Sequence, residues 1–240
     1  MDAARARLAI SLVDLTNLND RCTADDVDAL CARAAEHGTA AVCVWPDFVE
    51  QAVAALASTA VDVATVVNFP TGDERPYAVR TLTERVVGAG ADDVDLVLPY
   101  RAFVAGDVGW CADVLDATKA STADRAHLKV ILETGEIGDV AMIESAARFA
   151  IDHGADFVKT STGKSPVSAT PQAAAAMLRA IADVAADRTV GLKPSGGISS
   201  AEAAEVYLDQ AESAMGSGYL TPATFRFGAS SLLDALLPLT

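Results

Sequence analysis

Apolar runs of strand length alternate with amphipathic stretches of helix length along this whole chain. Such alternation commits a chain to a parallel sheet covered by helices, because parallel strands must be joined by long crossovers. Leu8 to Leu15 reads as the first strand, ending at Asp14-Leu15-Thr16, and Ala40 to Trp45 as the second. Asp62 to Asn68, Asp93 to Leu98, Leu128 to Glu133, Asp156 to Thr160 and Val190 to Lys193 follow, with a short eighth strand at Phe225 to Phe227. Between them, Thr23 suits an N-cap for a helix to Glu36, Pro46 suits a first helical position, and a further helix ends near Gly88. Later helices are expected over Trp110–Ala120, Val140–His153, Pro171–Ala186, Ser200–Glu212 and Ser230–Leu237. A weak internal repeat supports the pattern. Gly90-Ala91-Asp92-Asp93-Val94 returns as Gly154-Ala155-Asp156-Phe157-Val158, about two strand–helix units later.

Eight strands, each followed by a helix, in 240 residues predict an α/β fold, a single-domain (β/α)8 TIM barrel over residues 1–240. The rival is a doubly wound open sheet. It is weakened because no G-x-G-x-x-G follows the first strand. No linker or low-complexity tract divides the chain.

In a barrel the active site lies at the C-terminal ends of the strands. The lysines point there. The chain has 13 Arg but five Lys, and four of those five (Lys129, Lys159, Lys164 and Lys193) fall on strands five to seven or in the loop after strand six. Burial opposes a lysine's charge, and a neighbouring cation opposes it further, which favours a nucleophilic free amine. Lys159 and Lys193 are the obvious pair, and spacing alone does not say which is the nucleophile. Asp95 could shuttle protons or pair with a lysine. Asp14 and Thr16 at strand one, Cys43 on strand two, and Glu133 and Lys129 on strand five complete the polar set.

Thr160-Ser161-Thr162-Gly163-Lys164 offers hydroxyls, free N–H groups and a cation, the parts of an anion site. Gly196-Gly197 allows close backbone approach, and Gly228-Ala229-Ser230-Ser231 leads into a helix. Loops after strands seven and eight build the phosphate site in many barrels.

The remaining composition excludes more than it suggests. A net charge of −15 without a basic patch disfavours nucleic acid as a partner. No apolar stretch is long enough to span a membrane, and no signal peptide is evident. Cys22, Cys31, Cys43 and Cys111 form no C-x-x-C pair and read as reduced thiols of a cytoplasmic protein. His37, His127 and His153 belong at the face opposite the site, so no metal centre is expected. Trp45 and Trp110 read as packing residues.

Several segments together identify a resemblance. These are Asp14 to Asp20, Thr65 to Pro70, Val94-Asp95 with Pro99-Tyr100-Arg101, and Lys129 to Gly135. Phe157 to Lys164, Lys193-Pro194-Ser195-Gly196-Gly197 and Phe227 to Leu233 complete the set. The chain resembles the deoxyribose-phosphate aldolases, class I (Schiff-base) aldolases, over nearly its whole length. The resemblance implies reversible cleavage of 2-deoxy-D-ribose 5-phosphate to D-glyceraldehyde 3-phosphate and acetaldehyde, with no cofactor. It makes Lys159 the Schiff-base lysine, Lys193 its perturber and Asp95 a proton carrier. Gly163, Lys164, Gly196, Gly197, Gly228, Ser230 and Ser231 would hold the phosphate. Asp14, Thr16, Leu18, Cys43, Lys129 and Thr162 would contact the rest of the substrate. A homodimer is an allowed assembly. Two departures stand out. Ser195 occupies a position where alanine is common, and the sequence stops at Thr240 without the tyrosine-ended tail some members carry. A Schiff-base aldolase for another sugar phosphate and a silent phosphosugar-binding barrel are the competing readings.

Overall fold

Strands form where the apolar runs are β-branched and bounded by turns, and helices where one face is apolar. The computed structural model describes residues 1–123, 125–184 and 188–240. In chain order the elements are α1 Ala3–Ser11, β1 Val13–Thr16, α2 Ala24–His37, β2 Ala41–Val44, α3 Val49–Leu56, β3 Asp62–Val67, α4 Pro76–Gly88 and β4 Asp93–Val97. There follow α5 Tyr100–Val104, α6 Val108–Thr122, β5 His127–Ile131, α7 Thr134–Ile137, α8 Val140–Asp152 and β6 Phe157–Lys159. The last are α9 Pro171–Val184, β7 Gly191–Lys193, α10 Ala201–Met215, β8 Phe227–Ala229 and α11 Leu232–Leu236.

All eight strands are parallel, in the order β7-β6-β5-β4-β3-β2-β1-β8. The ring closes between β7 and β8 through two bridges, Leu192 to Phe225 and Ser195 to Gly228, rather than a continuous ladder. The expected (β/α)8 barrel is therefore the observed one.

Local chemistry explains the joints. Thr23 caps α2 in a reciprocal capping box with Asp26, and left-handed Gly38 ends that helix. Pro46 opens a 3-10 turn that leads into α3. The internal repeat has a structural purpose. Asp92 Oδ2 accepts from Val63 N–H and Asp156 Oδ2 from Leu128 N–H, both at 2.8 Å. Each aspartate pins the start of the preceding strand, and so helps fix register.

Three expectations need correction. The first strand begins at Val13, because most of the segment read from Leu8 belongs to α1. A short apolar run has no period long enough to tell strand from buried helix. The eighth strand lies at Phe227–Ala229 rather than 225–227, since Val13 pairs with Phe227 and only Phe225 bridges to β7. The last helix starts at Leu232 rather than Ser230, with Ser231 in the cap position. The expected end of α9 at Ala186 falls outside the described residues.

Outward strand residues and inward helix faces make one large core rich in Val, Ala and Leu. Each fully buried Val or Leu contributes about 1.5–3 kcal/mol. Inside the barrel a second, smaller apolar cluster joins Ala41, Cys43, Ala64 and Val66, with Leu18, Trp45 and Phe69 against it. It fills the β2–β3 side. The other side of the interior is charged, and that asymmetry positions the site.

Candidate active site

Side chains alternate along a strand, so residues two apart share a face. Inward positions thus include Asp14 on β1, Asp93 and Asp95 on β4, Lys129 on β5, Lys159 on β6 and Lys193 on β7. The pairing register sets Asp95 beside Lys129 and Lys159 beside Lys193. All six are buried. The structure brings together the three residues expected to carry the chemistry. Lys159 Nζ and Lys193 Nζ both donate to Asp95 Oδ2, each at 2.7 Å.

The two lysines have different surroundings. Lys193 Nζ also pairs with Asp14 Oδ2 at 2.5 Å, and its side chain is fully enclosed. Burial would strip its proton, but Asp14 and Asp95 outweigh burial and hold the ammonium above the usual lysine range. Lys159 is 4% exposed at the side chain and reaches the cleft above. Geometry therefore separates a lysine that opens to the cleft from one that is enclosed. Burial would likewise raise the Asp95 carboxyl, but Lys159, Lys193 and Lys129 overcome it and hold Asp95 well below the usual carboxylate range. Asp95 is an ionised group at neutral pH.

The cleft measures about 430 Å³. Loops after β1, β6, β7 and β8 line it. Of the expected contacts, Thr16, Leu18, Thr162, Gly163, Lys164, Gly196, Gly197, Gly228, Ser230 and Ser231 stand on its wall with Lys159. Gly163, Gly196 and Gly197 all have φ near +80° (78°, 83° and 78°), which bares backbone toward the opening and favours glycine. Thr162 is held by Glu133, which accepts from its hydroxyl and its N–H. Ser195 Oγ donates to the Ser161 carbonyl at 2.5 Å, tying the loop after β7 to the loop after β6. The expectation for Lys164 is met in place, but its ammonium is engaged. Nζ donates to Asp20 Oδ1 at 3.0 Å and to the Leu18 carbonyl at 2.9 Å.

Other expected contacts lie below the cleft rather than on it. Cys43 is fully buried in the apolar cluster, and burial pushes its thiol up to about 11. Lys129 is enclosed too, paired with Asp93 and 5.3 Å above the Phe157 ring. Asp14 faces Lys193 and Arg226. These three lie beneath the cleft floor. They miss the cleft because an inward strand residue one layer down is covered by the layer above.

Sequence reasoning passed over Arg226, which donates to Asp14 Oδ1 at 2.8 Å and to Asp62 Oδ2 at 2.9 Å. It also missed Asn17, Asn19, Ile198 and Ser199 on the cleft wall. An arginine between two phenylalanines was the available signal for Arg226. His37, His127 and His153 lie at helix ends or the β5 start, as expected, and His127 bonds Asp93 at 3.2 Å. Among the described residues, no group of three His, Cys, Asp or Glu is placed to hold a metal. No helix is long and apolar enough to cross a membrane among those residues.

Comparison with known proteins agrees with this fold. The family model described as DeoC/LacD family aldolase matches residues 8–237. A deoxyribose-phosphate aldolase of Agrobacterium fabrum is 50% identical over 235 residues, spanning 97% of this chain and 90% of that protein. The apo-form crystal structure of a candidate deoxyribose-phosphate aldolase from Toxoplasma gondii ME49 is similar with a TM-score of 0.90 and 26% identity, covering 99% of this chain and 96% of the other. A deoxyribose phosphate aldolase from Aeropyrum pernix, described as a unique tetrameric structure, shares the fold with a TM-score of 0.80 at 23% identity, over 98% and 96% of the two chains. A barrel with a cleft lysine over buried carboxylates, matched along nearly its whole length, thus belongs to the DeoC/LacD family of aldolases.

Proposed function

We propose that this chain is a deoxyribose-phosphate aldolase, cleaving 2-deoxy-D-ribose 5-phosphate reversibly to D-glyceraldehyde 3-phosphate and acetaldehyde through a Schiff base on Lys159. The carrying observation is the contrast between the lysines. Lys159 opens to the cleft, while Lys193 is enclosed between Asp14 and Asp95.

The chemistry follows. The Lys159 amine adds to the substrate aldehyde and loses water, giving an iminium. A proton leaves the hydroxyl on the carbon two bonds from the iminium carbon. The bond from that carbon to the carbon next to the iminium breaks, leaving an aldehyde on the departing fragment, and the bond's electron pair moves into the iminium to make an enamine. Glyceraldehyde 3-phosphate departs, the enamine is protonated on carbon, and water releases acetaldehyde and the free amine. Asp95, held ionised beside Lys159, is the base that takes up and returns protons through water. Lys193 supplies a fixed positive charge next to the reacting nitrogen.

The 5-phosphate rests against Gly163, Gly196, Gly197, Ser230 and Ser231, where exposed N–H and hydroxyl groups meet an anion without burying a counter-charge. Lys164 adds positive charge at the rim while holding Asp20. Binding energy from this remote group positions the reacting carbons. The unpaired thiols, three of them buried, suit a reducing cytoplasm and a role in deoxyribose phosphate breakdown.

Borohydride added with acetaldehyde should fix a two-carbon unit to Lys159, seen by peptide mass mapping. Labelling confined to other residues would sink the assignment. Lys159→Leu should lower turnover by about a thousandfold or more with an unchanged circular dichroism spectrum.

A further inference from the structure

Glu133 takes no part in the chemistry proposed above, yet it stands in an unfavourable place. It follows the end of β5 and is 1% exposed. Its backbone is left-handed, with φ 55° and ψ 59°, a region in which a side chain is strained. One of its oxygens, Oε1, is enclosed without a hydrogen-bond partner among the described residues. Burial of a half-partnered carboxyl is disfavoured. Backbone and desolvation both oppose this residue, so what its other oxygen does has to outweigh them.

Glu133 Oε2 accepts from the Thr162 hydroxyl and, at 3.3 Å, from the Thr162 N–H. Thr162 Oγ1 in turn accepts from the Lys164 N–H at 3.0 Å. These bonds fix the turn Thr162-Gly163-Lys164 at both ends. Gly163, between them, has φ 78°, and its N–H meets no protein acceptor among the described residues. Both donors of Thr162 are taken by Glu133, so Thr162 serves the site by shaping the turn. The turn abuts the other half of the anion site, since a Cβ built on Gly196 would lie 3.3 Å from Gly163 Cα. The Thr134 N–H donates to the Thr160 carbonyl at 2.9 Å, which anchors the Glu133 backbone beside the start of the same loop.

We infer that Glu133 is a positioning residue for substrate selection. Its grip on Thr162 fixes the turn that sets Gly163 and Lys164 against the phosphate, and so builds the preference for a phosphorylated over an unphosphorylated sugar. The inference rests on the deoxyribose-phosphate reading above. The carboxyl does not serve through its charge, which would repel an anion at the turn. It serves as an enclosed acceptor for two donors that otherwise turn to water and let the loop relax.

The test is steady-state cleavage of deoxyribose 5-phosphate and of unphosphorylated deoxyribose, with the ratio of the two kcat/KM values as the readout. Glu133→Asp keeps the acid but withdraws its oxygens from Thr162 by one carbon, and aspartate tolerates a left-handed backbone. Its ratio should fall about tenfold, through a raised KM for the phosphorylated sugar with kcat little changed. Glu133→Gln keeps a carbonyl oxygen for Thr162 and removes the acid, and its ratio should stay within about twofold of the unaltered protein. A charge effect on the phosphate predicts the reverse, no change in Glu133→Asp and a raised ratio in Glu133→Gln. A merely structural role lowers both kcat/KM values together and leaves the ratio fixed. An unmoved ratio in Glu133→Asp, or a raised one in Glu133→Gln, overturns the inference. If Glu133→Asp does not fold, Glu133→Ala decides by the same readout, a fall supporting the inference and an unmoved ratio overturning it. If the unaltered protein shows no preference for the phosphorylated sugar, the phosphate reading fails and this inference with it. A preference there that persists undiminished in the variants defeats this inference alone.

Discussion

Lys159 and Lys193 carry the same functional group on paired strands and stand in different surroundings. The difference lies in what each nitrogen touches: one carboxylate and the cleft in the first case, two carboxylates and no opening in the second. Sequence showed that lysines cluster at these strand ends. It could not rank them, because enclosure depends on the residues stacked above each side chain. Cys43 illustrates the same limit. Its position on β2 suggested a substrate contact, but it packs among Ala41, Ala64 and Val66. Burial pushes the thiols of Cys31, Cys43 and Cys111 up to about 11, so little thiolate is present at neutral pH. Cys22 is only half-buried. A thiol reagent should therefore modify Cys22 first in the native protein, and all four cysteines after denaturation. Mass mapping that found Cys43 modified as fast as Cys22 would contradict the buried placement.

The β7–β8 seam brings backbones so close that glycine is required. A Cβ on Gly228 would lie 2.6 Å from Ser195 Cβ and 3.3 Å from Lys193 Cε. Gly228→Ala should cost about 1–3 kcal/mol in urea unfolding, by overpacking, and should weaken binding of the phosphorylated substrate. Gly218, with open space around it, is the control, and Gly218→Ala should leave both unchanged. Equal effects at the two sites would refute the steric account. The alternation of strands and helices was legible in the sequence, because period and turn residues are local properties. The assignment failed at β1 and β8, the strands flanking the helical N-terminal segment and the bridged seam. There, strand boundaries are set by partners some 200 residues away, Val13 against Phe227 and Asp14 against Gly228. Arg226 escaped notice for the same reason, since its partners Asp14, Asp62 and Asp93 are distant in sequence.

Across the whole molecule the buried charges couple folding to pH. Asp14, Asp93 and Asp95 have folded-state values below those of the unfolded chain, in each case because cations overcome burial. Depressed carboxylates contribute stability above the unfolded value of about 3.9 and lose it as pH falls through the folded values. Lys193 and Arg226 are raised, so their contributions are complete below the unfolded lysine value of about 10.4 and are lost only at higher pH. Protonated His127, raised by its hydrogen bond to Asp93 against burial, adds a small term present below about 6.5 that fades as pH rises through its folded value. Calorimetry should give a melting temperature nearly constant from about pH 5 to 9 and falling steeply below about pH 4. A constant melting temperature down to pH 3 would show that these carboxylates do not stabilise the fold.

The bridged closure between β7 and β8 has one more consequence. The loops that would grip an anion, at Gly196-Gly197 and Ser230-Ser231, are the two lips of that seam. An anion seated between them would add one more tie to a seam that backbone hydrogen bonds from the Leu192, Gly196, Arg226 and Gly228 N–H groups already cross. Substrate binding and closure of the ring would then draw on the same pair of loops.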